Sequence, residues 1–425
     1  MNAHITLWPK FRLAGPVPRY NPSLVHKAAT VTVMAIVFVP GIKGSELVDS
    51  YPLDWPLRWS LQEMSGGNSF EDSLDIRLAD GLHESAADHW MHPFRVIRHA
   101  YGPLIAKLRA WKAPEPVHVF TYDWRRPLDR SALALAAFLD EVAEREQARG
   151  VDPTISLITH SMGGLVLRGA LFARNSRNPF AGIGRVVFIV PPFRGSIGAP
   201  YALVVGERDG WFGTDEDYRR ITRGFASVYS MTPFFAGATV DEQGGELDLF
   251  DARQWQANVR DGGEFQSQHL TNAEAFIRGP TARHGGKSAV RMLSDRTLTA
   301  HADRVLILSG AGLPTAIRLP ILTTNRHNPN WFDFAAVNLE IFGDGRVPFR
   351  SSAVAGVTLA GYTGINDHAQ SCRNVRIINA VAQWLEDGRA LKMTPREPHH
   401  ALQRARREWF KPWDGDPSSF TQHII

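Results

Sequence analysis

The feature that most constrains this chain is a short strand that ends in a serine and gives way at once to a helix. Ile155-Ser-Leu-Ile158 is apolar and rich in β-branched residues. Thr159-His160-Ser161-Met162-Gly163-Gly164 follows, and Leu165–Phe172 reads as a helix. A sharp turn between a buried strand and a helix lifts the serine hydroxyl out of the sheet, where a histidine can reach it. Small residues two before and two after the serine let strand and helix approach closely. Gly163 satisfies the second position, whereas Thr159 stands at the first, a tighter fit because it is β-branched. An ordinary Ser-Gly turn at a helix N-terminus is the plainer reading, but it does not call for a buried strand on one side and an apolar helix on the other.

The rest of the chain supplies the sheet that such a turn needs. Met34–Val39, Val117–Thr121, Arg185–Val190 and Arg304–Leu308 are apolar runs of strand length, and Ser131–Arg149 and Arg376–Leu385 carry helical spacing. Continuous apolar strands alternating with helices predict an α/β fold, a mostly parallel sheet with helices on both faces and right-handed crossovers. Two stretches break the rhythm, at about 49–92 and 196–300. Both follow strand ends, where an open α/β sheet places its site, so they are expected to be cap or lid insertions. The expected domain spans 34–390. A loosely ordered extension, 1–33, precedes it, and a tail, 391–425, broken by Pro395, Pro398, Pro412 and Pro417, follows.

Composition narrows the function classes. With 425 residues, 44% hydrophobic and 21% charged, the chain is not wholly disordered. A net charge of +4 without a dense Lys/Arg patch gives no reason to expect a nucleic-acid partner. One cysteine, Cys372, rules out an intrachain disulfide framework and a cysteine-based zinc site. No apolar run approaches the ~20 residues of a membrane-spanning helix. The opening segment, broken by Pro9, Pro16 and Pro18, does not fit a secretory signal, so a cytoplasmic location is expected.

Around Ser161 the chemistry calls for three further parts. The amide of Met162, at the positive end of the following helix, can donate to an oxyanion. A second amide is expected from the loop Pro40-Gly-Ile-Lys-Gly-Ser45, with Ile42 chosen over Lys43. The base should come late in the chain, and His368, on a loop before the last helix, fits better than His399, His400 or His423 in the tail. The carboxylate that holds the imidazole tautomer is expected after a late strand. Asp344, in Gly343-Asp-Gly-Arg-Val-Pro348 behind Leu339–Phe342, is preferred to Asp367, whose side chain should point elsewhere than its neighbour's.

Taken together, Val39-Pro-Gly-Ile-Lys-Gly-Ser-Glu-Leu47, Phe120-Thr-Tyr-Asp-Trp-Arg125, His160-Ser-Met-Gly-Gly164, Gly310-Ala-Gly-Leu-Pro-Thr315, Gly343-Asp-Gly-Arg-Val-Pro348 and the late His368 resemble the lecithin:cholesterol acyltransferase-like lipases and acyltransferases, within the α/β-hydrolases. The resemblance covers about Met34 to Leu385 in the family's order. It implies a triad of Ser161, Asp344 and His368 and oxyanion donors at Ile42 and Met162. It also implies a lipid or other acyl ester as substrate, and transfer of the acyl group through a serine ester to water or an alcohol. Arg346 departs from the small or hydroxyl residues usual there, and a sterol acceptor does not carry over.

Other signals carry less. His83, Asp88, His89 and His92 do not form a recognised ligand set, so no metal is expected, and no fingerprint of a cofactor site is present. Trp211-Phe212 and Phe234-Phe235 suit an acyl-chain groove or transient contact with a membrane or lipid surface, although core packing is the commoner reason for such pairs. A thioesterase or amidase on the same fold is the alternative chemistry. A catalytically silent hydrolase fold used as a binding module is the alternative from another class.

Overall fold

Short runs of β-branched and aliphatic residues, buried on both faces, build the centre of the protein. The strands, in chain order, are β1 (Ala35–Val39), β2 (Ser45–Asp49), β3 (Leu57–Trp59), β4 (Met91–Val96), β5 (Val117–Val119), β6 (Ile155–His160), β7 (Ile183–Ile189), β8 (Thr239–Val240), β9 (Val305–Gly310), β10 (Thr315–Leu322), β11 (Trp331–Phe332), β12 (Asn338–Glu340) and β13 (Thr358–Tyr362). Six of them form one sheet in the order β13-β9-β7-β6-β1-β5, and every pairing in it is parallel. Every residue of β1, β6 and β9 is buried, which is why these strands read as unbroken apolar runs rather than as alternating ones. In this computed structural model the described residues are 34–49, 57–59, 91–112, 116–206, 215–262, 264–279, 288, 290–325, 328–362 and 367–389. The 1–33 extension, the 391–425 tail, most of the 49–92 insertion, the pair Trp211-Phe212 and residues His83, Asp88 and His89 lie outside them.

Helices cover both faces of the sheet. On one side α2 (Leu128–Ala148) and α3 (Gly163–Arg174) bury Leu135, Leu139, Leu165 and Leu171 in the larger core. On the other, α1 (Arg98–Lys112) and the closing helix Val375–Asp387 bury Leu104, Leu108, Ile377, Val381 and Trp384. Asn374 caps the closing helix by accepting from the N–H groups of Arg376 and Ile377. Among the described residues no helix is long and apolar enough to cross a membrane.

Two helices call for a physical explanation. α2 starts at Leu128, ahead of Ser131, because Pro127 supplies a preset φ of −53° at its cap. α1 carries Gly102 and Pro103 in its interior, which speak against a helix, yet it buries Tyr101, Leu104, Ile105 and Leu108. Tertiary burial of an amphipathic face outweighs the local penalty there. Phe234 and Phe235 pack against or within the larger core.

The order of the sheet decides what meets at its edge. β6 lies between β1 and β7, with Val39 opposite Thr159 and Phe188 beside it. The chain after β6 therefore emerges next to the loop after β1, on the edge where the carboxyl ends of parallel strands open a crevice.

Candidate active site

Ser161 occupies the turn between β6 and α3 with φ +52°, a left-handed backbone that non-glycine residues rarely adopt. Its N–H donates to the Ile189 carbonyl at 2.8 Å, which pins the turn to β7. Gly163 is required by packing. A Cβ there would lie 2.7 Å from the Val39 carbonyl oxygen and closer still to that of Pro40. Thr159 is tolerated two residues before the serine because it lies fully buried in the ladder between Val39 and Phe188.

Three side chains that the sequence reading selected come together here. His368 Nε2 is 2.7 Å from Ser161 Oγ, and His368 Nδ1 is 2.6 Å from Asp344 Oδ2. A carboxylate only accepts, so Nδ1–H donates to it and Nε2 is left bare to accept the serine proton. The other Asp344 oxygen, Oδ1, accepts from the N–H groups of Arg346 at 3.0 Å and Val347 at 2.8 Å. Burial by itself would raise the Asp344 pKa. The neighbouring His368 and these amides outweigh it and hold the carboxyl below its usual range. Asp367, the rival carboxylate, is turned to its own 3₁₀ turn, where it accepts from the backbone and side chain of Gln370.

The acid is not carried directly by a strand of the central sheet. The strand before it is β12, shorter than the 339–342 run expected, and it pairs antiparallel with β10 in a separate four-stranded mixed sheet. Thr315 closes that excursion. Its Oγ1 donates to the Leu313 carbonyl and accepts from Gly345 N–H, both at 2.9 Å. The Gly310–Thr315 block thus holds the turn of Asp344, a role its sequence alone did not disclose.

The loop after β1 is clamped from several sides. Tyr122 Oη donates to the Pro40 carbonyl at 3.0 Å, and Tyr122 N–H donates to Ser45 Oγ at 3.3 Å. Trp124 Nε1 donates to the Ser45 carbonyl at 3.0 Å, and Gly41 N–H donates to Tyr101 Oη at 3.1 Å. Arg125, completely buried, pairs with Asp123 at 2.7 Å and keeps the Tyr-Asp-Trp-Arg turn rigid. A Cβ on Gly41 would come within 2.9 Å of Ser161 Cβ, so the loop lies directly against the serine. No hydrogen bond among the described residues takes up the N–H of Ile42 or Met162. These are the two amides that the sequence analysis selected.

A cavity of about 270 Å³ opens beside Ser161 and His368. Its walls are mainly apolar, with Ile97, Ala199, Phe225, Val228, Met231 and Val347 among them, and Lys43 and Arg346 also line it. Several of the lining residues, from Ser196 to Met231, belong to the 196–300 stretch. A polar corner with a hydroxyl and an imidazole, opening on an apolar chamber, suits an ester with a hydrocarbon arm. Among the described residues no group of three or more His, Cys, Asp or Glu could hold a metal ion. His92, the one described member of the discounted His/Asp set, lies on β4.

The family model for lecithin:cholesterol acyltransferase matches residues 59–300, more than half of the chain. That span contains the Tyr-Asp-Trp-Arg turn and the Ser161 elbow and stops short of Asp344 and His368. No curated protein sequence matches the chain. Among solved structures, a chain in the crystal structure of the Tle4–Tli4 complex superposes with a TM-score of 0.51 at 16% identity, over 81% of this chain and 96% of that one. The mature lipase BlEst2 of Bacillus licheniformis gives 0.38 at 13% identity, over 84% of this chain and 94% of its own. The chain has the α/β-hydrolase fold and belongs to the lecithin:cholesterol acyltransferase family, whose chemistry is the hydrolysis or transfer of acyl esters.

Proposed function

We propose that the protein is a serine acyl-transfer enzyme acting on lipid or other acyl esters, with Ser161 as nucleophile, His368 as base and Asp344 as the acid that orients it. The observation that carries this reading is the continuous contact from Asp344 through His368 to Ser161, at 2.6 and 2.7 Å. His368 Nε2 takes the serine proton as Oγ attacks the ester carbonyl. The N–H groups of Ile42 and Met162 donate to the resulting oxyanion. His368 then gives the proton to the departing alcohol, which leaves an ester on Ser161. Water or an alcohol enters, and His368 takes its proton as the acyl carbon is attacked. Collapse of the second tetrahedral species breaks the bond to Oγ, which takes the proton back from His368 as an acid or a new ester is freed. Asp344 stays ionised throughout and stabilises the imidazolium.

Water is the default acceptor, because an alcohol competes only if it is held close and oriented. The 34–390 region is read as one catalytic domain. The 196–300 stretch, which supplies residues from Ser196 to Met231 to the cavity wall, is its cap and selects the acyl chain. The test is Ser161→Ala assayed on a panel of phospholipid and short acyl esters, with folding followed by circular dichroism. A folded variant whose kcat falls by about 10⁶ supports the assignment. Substantial turnover by the folded variant refutes it.

A further inference from the structure

A buried hydrogen-bond chain crosses the base of the site and uses none of the three reacting side chains. Gly41 N–H donates to Tyr101 Oη at 3.1 Å. Tyr101 Oη lies 3.0 Å from His160 Nδ1, and His160 Nε2 lies 3.2 Å from the His368 carbonyl oxygen. That carbonyl only accepts, so His160 Nε2 carries the proton. Its Nδ1 is therefore bare and accepts from the Tyr101 hydroxyl, which leaves the phenol oxygen free to accept from Gly41. Each polar group in the chain has a partner, and only one set of donor directions satisfies it.

We propose that Tyr101 and His160 are positioning residues, which hold the amide-bearing loop after β1 and the histidine-bearing turn after β13 in register on either side of Ser161. His160 stands at the centre because it directly precedes Ser161 on β6. The chain joins four segments, namely residue 41 beside Ile42, residue 101 on α1, residue 160 before the elbow, and the backbone of residue 368. Displacing the Gly41 amide would shift Ile42. The His368 carbonyl also accepts from Ser371 Oγ at 2.8 Å, which ties it only to its own turn, so losing the His160 donor would let that turn, and the imidazole it carries, drift from Ser161. Errors of about 1 Å in either place cost rate rather than binding.

The environment of His160 supports this role. Burial, and next the nearby His368, push its pKa down to about 3, and burial pushes that of Tyr101 up. Both therefore stay neutral over the working pH range, which the donor directions require. Neutrality has a further use. The rings of His160 and His368 are 5.1 Å apart, so a cationic His160 would oppose the imidazolium that forms on His368.

The inference rests on the proposed roles of Ser161, His368 and Ile42, and the test separates the two. Wild type, Ser161→Ala, Tyr101→Phe, His160→Gln and His160→Leu are compared on a soluble p-nitrophenyl ester, with melting temperatures measured alongside. Tyr101→Phe keeps the ring that lines the cavity, so KM is expected to stay within about twofold while kcat falls at least about tenfold. His160→Gln can still offer an N–H toward the His368 carbonyl and is expected to keep several times the kcat of His160→Leu. Should Tyr101→Phe not fold, the Gln-to-Leu comparison decides alone. An inactive Ser161→Ala with Tyr101→Phe at wild-type kcat, or with His160→Gln no better than His160→Leu, overturns the positioning role and leaves the acyl-transfer reading intact. An active Ser161→Ala overturns that reading first.

Discussion

His368 Nε2 stands 2.7 Å from Ser161 Oγ, although 207 residues separate the two in the chain. The contact is possible because parallel strands deliver their carboxyl ends to one edge. β6 delivers Ser161 there, β13 leads to the turn of His368, and β1 leads to the loop of Ile42 beside them. Asp344 arrives indirectly, on the turn after β12, which Thr315 at the start of β10 ties back.

Asp344→Asn should lower kcat by about 10⁴, because an amide at that position no longer fixes the His368 tautomer. It should also change the response to acid. The Asp344 carboxyl titrates lower in the fold than in the unfolded chain. Its contribution to stability is therefore present above about pH 4 and fades as pH falls through its folded pKa. The stability gap between wild type and Asp344→Asn should narrow on acidification below pH 4, as thermal unfolding across a pH series would show. A gap that widens there would be inconsistent with the assigned contacts.

Gly163→Ala should be poorly tolerated. The added methyl meets the carbonyl oxygens of Val39 and Pro40, which are backbone atoms of β1 and its loop and have little room to move. A loss of about 1–3 kcal/mol is expected from denaturant unfolding, together with a clear fall in kcat as the elbow shifts. Wild-type stability and activity in this variant would mean that the strand–helix approach is looser than described.

Tyr122→Phe removes the donor to the Pro40 carbonyl and leaves that buried oxygen unpaired, a change expected to cost about 1–3 kcal/mol. Because the same loop carries Ile42, kcat should fall as well. The fall should stay below the roughly 10²–10³ that follows complete loss of an oxyanion donor. Equilibrium unfolding and steady-state kinetics on one preparation give both numbers.

Val228→Phe narrows the cavity beside Ser161. If that space takes the acyl arm, kcat/KM for long-chain esters should fall relative to acetyl or butyryl esters. Each excluded methylene is worth about 1 kcal/mol or more. An unchanged ratio across a chain-length series would show that the acyl group lies elsewhere.

What could be read from the sequence was what local pattern specifies. The elbow declares itself because an apolar strand, a serine with a glycine two residues on and an apolar helix are contiguous. Asp344 and His368 follow from chain order and from turns behind late elements. The positioning residues leave no such trace. Tyr101 lies in a helix whose interior carries Gly102 and Pro103, which mask the helix in the sequence, and its partners are residues 41 and 160, brought near only by the fold. Tyr122, Trp124 and Thr315 sat in recognisable motifs, but their work is to bond the backbone of distant loops. Side chain-to-backbone bonds across 30 to 82 residues have no periodicity to detect.

The most direct measurement is covalent. The purified protein is treated with a fluorophosphonate or a slowly released p-nitrophenyl ester, quenched in acid, digested and analysed by mass spectrometry, with Ser161→Ala in parallel. The expected result is a single adduct on the peptide that contains Ser161, appearing with the burst of released product and absent from the variant. An adduct on another residue, or none while product still accumulates, would contradict the assignment of Ser161 as the residue that carries the acyl group.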